Sequence, residues 1–186
     1  IMMKYLVLLS LTAFSIGHCN ANAKQTALPT NCYEVPSKAN SLCVIETSAQ
    51  DMPVNDVVFY LKDEFGRFVL LDAIKGDVAH IFFNGFSTGG KYTVITTAEE
   101  GHPNFLIYPT DKFLSPTRPL KAYAVISNYF ITRIALLTDD GEAIIELLDS
   151  PSNINSSQQC LPTKHLPENS DKERCHIRYS IHHKHK

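Results

Sequence analysis

The chain has 186 residues, of which 44% are hydrophobic and 19% charged, with a formal net charge of −2. That length suits one domain with its own core, and the near-neutral balance argues against the basic surface of a nucleic-acid binder. No nucleic-acid partner is therefore expected.

Residues 1–23 have the three-part pattern of a secretory signal: Lys4, then an apolar stretch over residues 5–14, then Ala21-Asn22-Ala23 as a small-residue cleavage site before Lys24. The apolar stretch is far shorter than the roughly 20 residues a membrane helix needs, so no transmembrane segment is expected after cleavage. The expected location is secreted or periplasmic. Cys19 carries a minority reading, a membrane-tethered lipoprotein, although His18 stands where such signals place a small residue.

Signal removal leaves Cys32, Cys43, Cys160 and Cys175. In an exported chain an even set of cysteines reads as two disulfides. Sequence alone permits any of the three pairings. Cys32 with Cys43 and Cys160 with Cys175 is the favoured one, because each bond then closes a short loop near a chain end. A structural zinc site is the weaker alternative, since the spacing offers no C-x-x-C pair.

Residues 24–149 read as a β-rich domain with a disulfide-linked N-terminal segment. Short apolar and β-branched runs near residues 57–61, 68–71, 78–83, 91–97, 105–108, 123–126 and 130–137 alternate with turn signals. This pattern predicts a mainly β fold, an antiparallel β-sandwich, with an immunoglobulin-like architecture as one form of it. Asp63-Glu64-Phe65-Gly66 reads as a turn, and Asn84-Gly85 as a hairpin turn, because both of its residues tolerate positive φ. Residues 139–148 fit either an Asp140-Gly141 hairpin turn followed by a strand or a short capped helix. The hairpin is preferred because the turn follows a β-branched run directly.

Two stretches are candidate recognition surfaces. Phe86 closes an aromatic turn, and His102, Phe105, Tyr108 and Phe113 lie in a proline-rich stretch that could form a rigid loop with apolar anchors. The competing reading makes these aromatics core residues beside an edge strand guarded by proline.

Residues 150–186 form a polar, histidine-rich extension, expected to be a flexible tail with a disulfide loop. His176, His182, His183 and His185 are candidate ligands for Cu, Ni or Zn, since neutral imidazole binds these ions and clustering raises its effective concentration. Lys184 and Lys186 oppose a bound cation. No other cofactor is expected. Asn155-Ser156-Ser157 is a glycosylation sequon.

Catalytic signals are weak, and no catalytic residue is assigned. The chain lacks a G-x-S-x-G elbow, and oxidised cysteines are not nucleophiles. Glu99-Glu100 near His102 and the Asp139-Asp140-Glu142 group read as solvated turn charges. The leading expectation is an exported, non-catalytic β-sandwich binding module for a protein or surface partner. A metal-binding or metal-sequestering secreted protein is the alternative. An enzyme with a motif-free carboxylate site is the third reading.

Overall fold

Eleven strands carry nearly all the regular structure of the computed structural model, which describes residues 30–48, 55–74, 80–99, 102–115, 121–127, 130–148 and 159–182. The signal, Cys19, Asn155, His183 and His185 lie outside the described residues. The strands form three antiparallel sheets, and in each sheet neighbours in space are neighbours in sequence. The first holds β1 (Thr30–Glu34), β2 (Ser41–Ser48), β3 (Asn55–Lys62) and β4 (Phe68–Ile74). The second holds β5 (His80–Phe86), β6 (Tyr92–Glu99), β7 (His102–Pro109) and β8 (Ala124–Ser127). The third orders β9 (Ile131–Leu137), β10 (Glu142–Leu147) and β11 (His176–Ser180) with β10 in the middle.

The fold is thus mainly β and antiparallel, as the turn spacing predicts. Its three meanders differ from a two-sheet immunoglobulin-like sandwich, whose connections are Greek-key. A single helical turn, α1 (Thr110–Phe113), follows β7.

The second sheet has a partner on each face. Tyr92 and Val94 of β6, with Phe105 and Ile107 of β7, join Ile131, Ile145 and Ile177 of the third sheet in one core. Their neighbours in sequence, Ile95 and Tyr108, join Leu42, Val57 and Phe59 of the first sheet in the other core. Side chains alternate between the faces of a strand, so a strand buried on both faces needs apolar residues at consecutive positions. This explains why Val94-Ile95 and Leu106-Ile107-Tyr108 read as unbroken apolar runs. Burial of a large aliphatic side chain contributes about 1.5–3 kcal/mol, so these two cores supply the main stabilisation.

Turn chemistry sets the hairpins. Asp63 Oδ1 accepts from the N–H groups of Phe65 and Arg67, at 2.9 and 2.8 Å, and shapes the β3–β4 turn. The β9–β10 connection is the Asp140-Gly141 turn: Gly141 has φ +82° and donates to Thr138 C=O at 3.0 Å. Residues 142–147 are accordingly a strand. Asn84-Gly85, by contrast, makes no hairpin turn. The β5–β6 turn spans residues 87–91, and Asn84-Gly85 forms a bulge inside β5, with Gly85 at φ +148° opposite Val94. A dipeptide that tolerates positive φ serves either purpose, and Ser87-Thr88-Gly89-Gly90 takes the turn.

Both disulfides are the sequence-local ones, Cys32–Cys43 and Cys160–Cys175. Cys32 and Cys43 face each other across β1 and β2. The Cys160–Cys175 bond holds residues 159–162 beside β11, where Leu161 N–H also donates to His176 C=O at 2.7 Å. The disulfide loop expected in the histidine-rich extension is thus present, and within residues 159–182 the expected flexible tail is replaced by ordered strand. Residues 176–180 form a full strand on β10, and Ile177 and Ile181 are buried at 7% and 6% exposure.

Candidate functional site

The second and third sheets present unpaired edges, β5 and β9, to one another. Ser87 N–H donates to Tyr92 C=O at 2.8 Å, so the next pair, Phe86 with Thr93, is a wide one and the Phe86 N–H and C=O point away from β6. On β9, Thr138 N–H bonds Glu142 C=O at 2.9 Å, which likewise turns the Leu137 backbone groups outward. The two edges meet there: Thr88 N–H donates to Leu137 C=O at 3.0 Å. Asp139 reinforces the junction. Its Oδ1 accepts from Ser87 Oγ–H, from Gly89 N–H at 3.1 Å and from Lys91 N–H at 3.2 Å, fastening one hairpin turn to the other. The Ser87 hydroxyl is the main cause holding the Asp139 carboxyl below its ordinary value, and the Lys91 charge acts in the same direction.

Away from this junction the edges separate into a cleft of about 360 Å³, near the lower end of the volume range for ligand pockets. Residues 84–86 and Thr88 line one side, and residues 133–137 with Asn169 line the other. Each wall carries a bulge. The register slips at Asn84-Gly85 on β5, and at Ala135 on β9 between its partners Ile144 and Ile145. A Cβ placed on Gly85 would meet no atom within 4 Å, so β5 is uncovered at this point. Bulges are common beside binding sites because they end regular pairing and redirect side chains.

Arg133 connects the cleft to a polar row that runs inward across the third sheet. Arg133 of β9, Glu146 of β10 and His176 of β11 sit directly opposite one another across the third sheet. Arg133 Nε donates to Glu146 Oε2 at 2.8 Å, and Arg133 Nη2 donates to the Asn169 C=O at 2.9 Å. Thr132 Oγ1–H donates to Glu146 Oε1 at 2.9 Å, and Arg174 Nη1 lies 3.4 Å from the same oxygen. Burial pushes the Glu146 carboxyl up, but the Thr132 hydroxyl and the Arg133 guanidinium outweigh it and leave the carboxyl below its ordinary value. Glu146 is consequently a bound anion locked between cations rather than a free proton acceptor. The row was missed in sequence, although a lone Arg and a lone Glu inside apolar strands signal cross-strand partners.

The sequence-predicted recognition residues do not gather at this cleft. Phe105, Tyr108 and Phe113 are core side chains, at 1%, 7% and 2% exposure. Pro103 lies within β7, so the proline-rich stretch there is a strand rather than a loop. His102 is exposed at the start of β7. Only Phe86 reaches the cleft, half-buried and edge-on to Phe83 at 5.1 Å.

The predicted metal ligands are dispersed. His176 is fully buried. Its Nδ1 donates to Arg174 C=O at 3.0 Å, and its Nε2 lies 3.4 Å from Glu146 Oε2. His182 has both ring nitrogens engaged: Nε2 donates to Asp140 C=O and Nδ1 bonds the Tyr123 hydroxyl, each at 2.8 Å. Among the described residues no three His, Cys, Asp or Glu side chains gather into a metal-holding group. Nor do the described carboxylates converge, Glu100 and the Glu99 side chain lying outside the described residues. Asp139 fastens turns, while Asp140 and Glu142 are exposed beside it.

No helix among the described residues is long and apolar enough to cross a membrane. The chain matches no protein-family model and no curated protein.

Proposed function

We propose that this chain is an exported, disulfide-stabilised, non-catalytic binding module that holds its ligand in the cleft between β5 and β9. One observation carries the reading: two strand edges are fastened together at one end and part into a cleft lined by Asn84, Arg133 and Asn169. Such a site offers backbone and side-chain groups that can orient a ligand on a rigid scaffold. Export is supported by the signal-like pattern of residues 1–23 and by two disulfides, which persist in oxidising compartments.

The catalytic alternative, which needs Glu99, Glu100 or the Asp139–Glu142 group in a shared pocket, receives less support, because Asp139 is committed to Ser87, Gly89 and Lys91. The metal alternative rests on His183 and His185, since His176 faces Glu146 and His182 is doubly hydrogen-bonded. A metal titration that compares the full chain with one ending at His182 tests it without removing β11.

The experiment for the leading reading is ligand-observed NMR of the full chain against a collection of small polar and aromatic compounds. Ala135→Trp and Thr88→Trp, which fill the cleft from opposite walls, serve as controls. Binders that are lost in both variants support the reading. Binders that the variants retain, or the absence of any binder, contradict it.

A further inference from the structure

The two edges at the cleft touch at one end and leave their strand edges unladdered along the walls. β5 and β9 both end at the Thr88–Leu137 hydrogen bond, and both reach it from the cleft side, so they run in the same direction along its walls. No ladder joins them. From Arg133 to Leu137 the wall is four residue steps long, about 13 Å at the ordinary strand rise, which matches roughly four residues of an extended chain. Gly85, which has no side chain, and Ala135, which has only a methyl group, lie on the two walls, and such positions let another backbone come close. The outward N–H and C=O of Phe86 are the groups an added strand would pair with.

Charge sets the direction of entry. Arg133 lies at the end of the wall away from the junction. Its guanidinium has five N–H donors, and Glu146 and Asn169 engage only two of its nitrogens. Arg174 approaches the same Glu146, so two guanidiniums share that one carboxylate, while Asp171 Oδ2 lies 3.3 Å from Arg174 and His176 lies behind Glu146. Glu146 and Asp171 already balance the two guanidiniums in charge, so what this end of the cleft offers a ligand is the Arg133 Nη1 group, which neither Glu146 nor Asn169 engages, and a carboxylate is the acceptor a guanidinium binds most strongly.

Resting on the binding reading above and deepening it, we infer that the ligand is an extended peptide segment. It adds a strand along β5 and places a carboxylate against Arg133. The carboxylate is either the C-terminus of the peptide or an acidic side chain.

The test is selection from random hexapeptides with free C-termini on the immobilised full chain, followed by fluorescence anisotropy of the selected peptides. Selected peptides should lose about tenfold in affinity when the relevant carboxylate is neutralised, the scale of one charge-assisted hydrogen bond. Amidating the C-terminus and replacing Asp or Glu by Asn or Gln tell the two carboxylate sources apart. N-methylation of alternate backbone amides should cost tenfold or more, and methylation of the intervening amides should cost much less. Thr88→Trp and Ala135→Trp should abolish binding. Thr88 is exposed, so its variant keeps the test sound even where Ala135→Trp lowers the melting temperature.

The inference is overturned by failure to enrich any peptide, by equal affinity for the filled variants, or by indifference to methylation at every position. Small-compound binding that survives such a failure would leave the binding reading standing and remove only the peptide.

Discussion

Glu146 and Asp139 are the two side chains whose partners matter most to the geometry of the cleft. Glu146 is 5% exposed and draws Thr132, Arg133 and Arg174 together, and Arg133 is the one of them that lines the cleft. Glu146→Gln removes the anion that Arg133 and Arg174 share, which takes the carboxylate from Arg133 while Arg174 keeps Asp171. Loss of one partner of a buried ion pair costs about 3–5 kcal/mol, and Arg133 and Arg174 are part-solvated, so about 2 kcal/mol is expected in urea unfolding. Arg174→Gln should cost much less, since Glu146 keeps Arg133 and Thr132.

Acid should weaken the same two sites. Both carboxyls sit below their ordinary values of 3.8 for Asp139 and 4.5 for Glu146. A depressed folded value means that the unfolded chain binds protons first as pH falls. Their stabilisation is therefore complete above about pH 4.5 and is lost below it, as pH passes through the folded values. Melting temperature measured from pH 7 to pH 3 should decline in that lower range, and Asp139→Asn should flatten part of the decline. At neutral pH the Asn variant should lose about 1 kcal/mol through weaker acceptance from Ser87, Gly89 and Lys91.

At the scale of elements, β5 and β11 show what the sequence could and could not convey. The strands of the two cores were legible, because twice-buried strands carry consecutive apolar residues. The bulge in β5 was not, since Asn84-Gly85 suits a turn and a bulge alike and only the competing Gly89-Gly90 signal decides between them. β11 was legible in principle: Ile177, Tyr179 and Ile181 alternate with His176, Arg178 and Ser180. Histidines and charges at the polar positions disguised it as tail. The cleft itself had no local signature, because it depends on how two sheets meet rather than on any one segment.

Two predictions belong to these elements. Ile177→Ala should destabilise the chain by about 2–5 kcal/mol, as expected for a buried Ile, which a disordered extension would not do. Gly85→Ala meets no steric obstacle at Cβ, so any loss reflects backbone conformation at φ +148°; about 1–3 kcal/mol is expected in the same denaturation assay.

For the whole molecule, three meanders stacked through two cores give a scaffold fastened near both ends of its described residues by disulfides. The Cys160–Cys175 bond spans 15 residues, and a loop of that size corresponds to about 3 kcal/mol in the chain-entropy model. Its reduction should loosen residues 159–162 and β11, and through Glu146 disturb Arg133 at the mouth of the cleft. The first sheet presents a different surface. β4 exposes Phe68 and Leu70 at 57% and 56%, with Phe65 in the turn before them. That edge belongs to a different sheet from β5 and β9 and offers a clear contrast with their junction.

Hydrogen–deuterium exchange of the full chain, with and without a saturating ligand from either screen, tests the central claim most directly. The account predicts slowed exchange concentrated in residues 84–88 and 133–137, with β4 unchanged. Protection confined to residues 65–70, with the cleft walls exchanging as before, would contradict it.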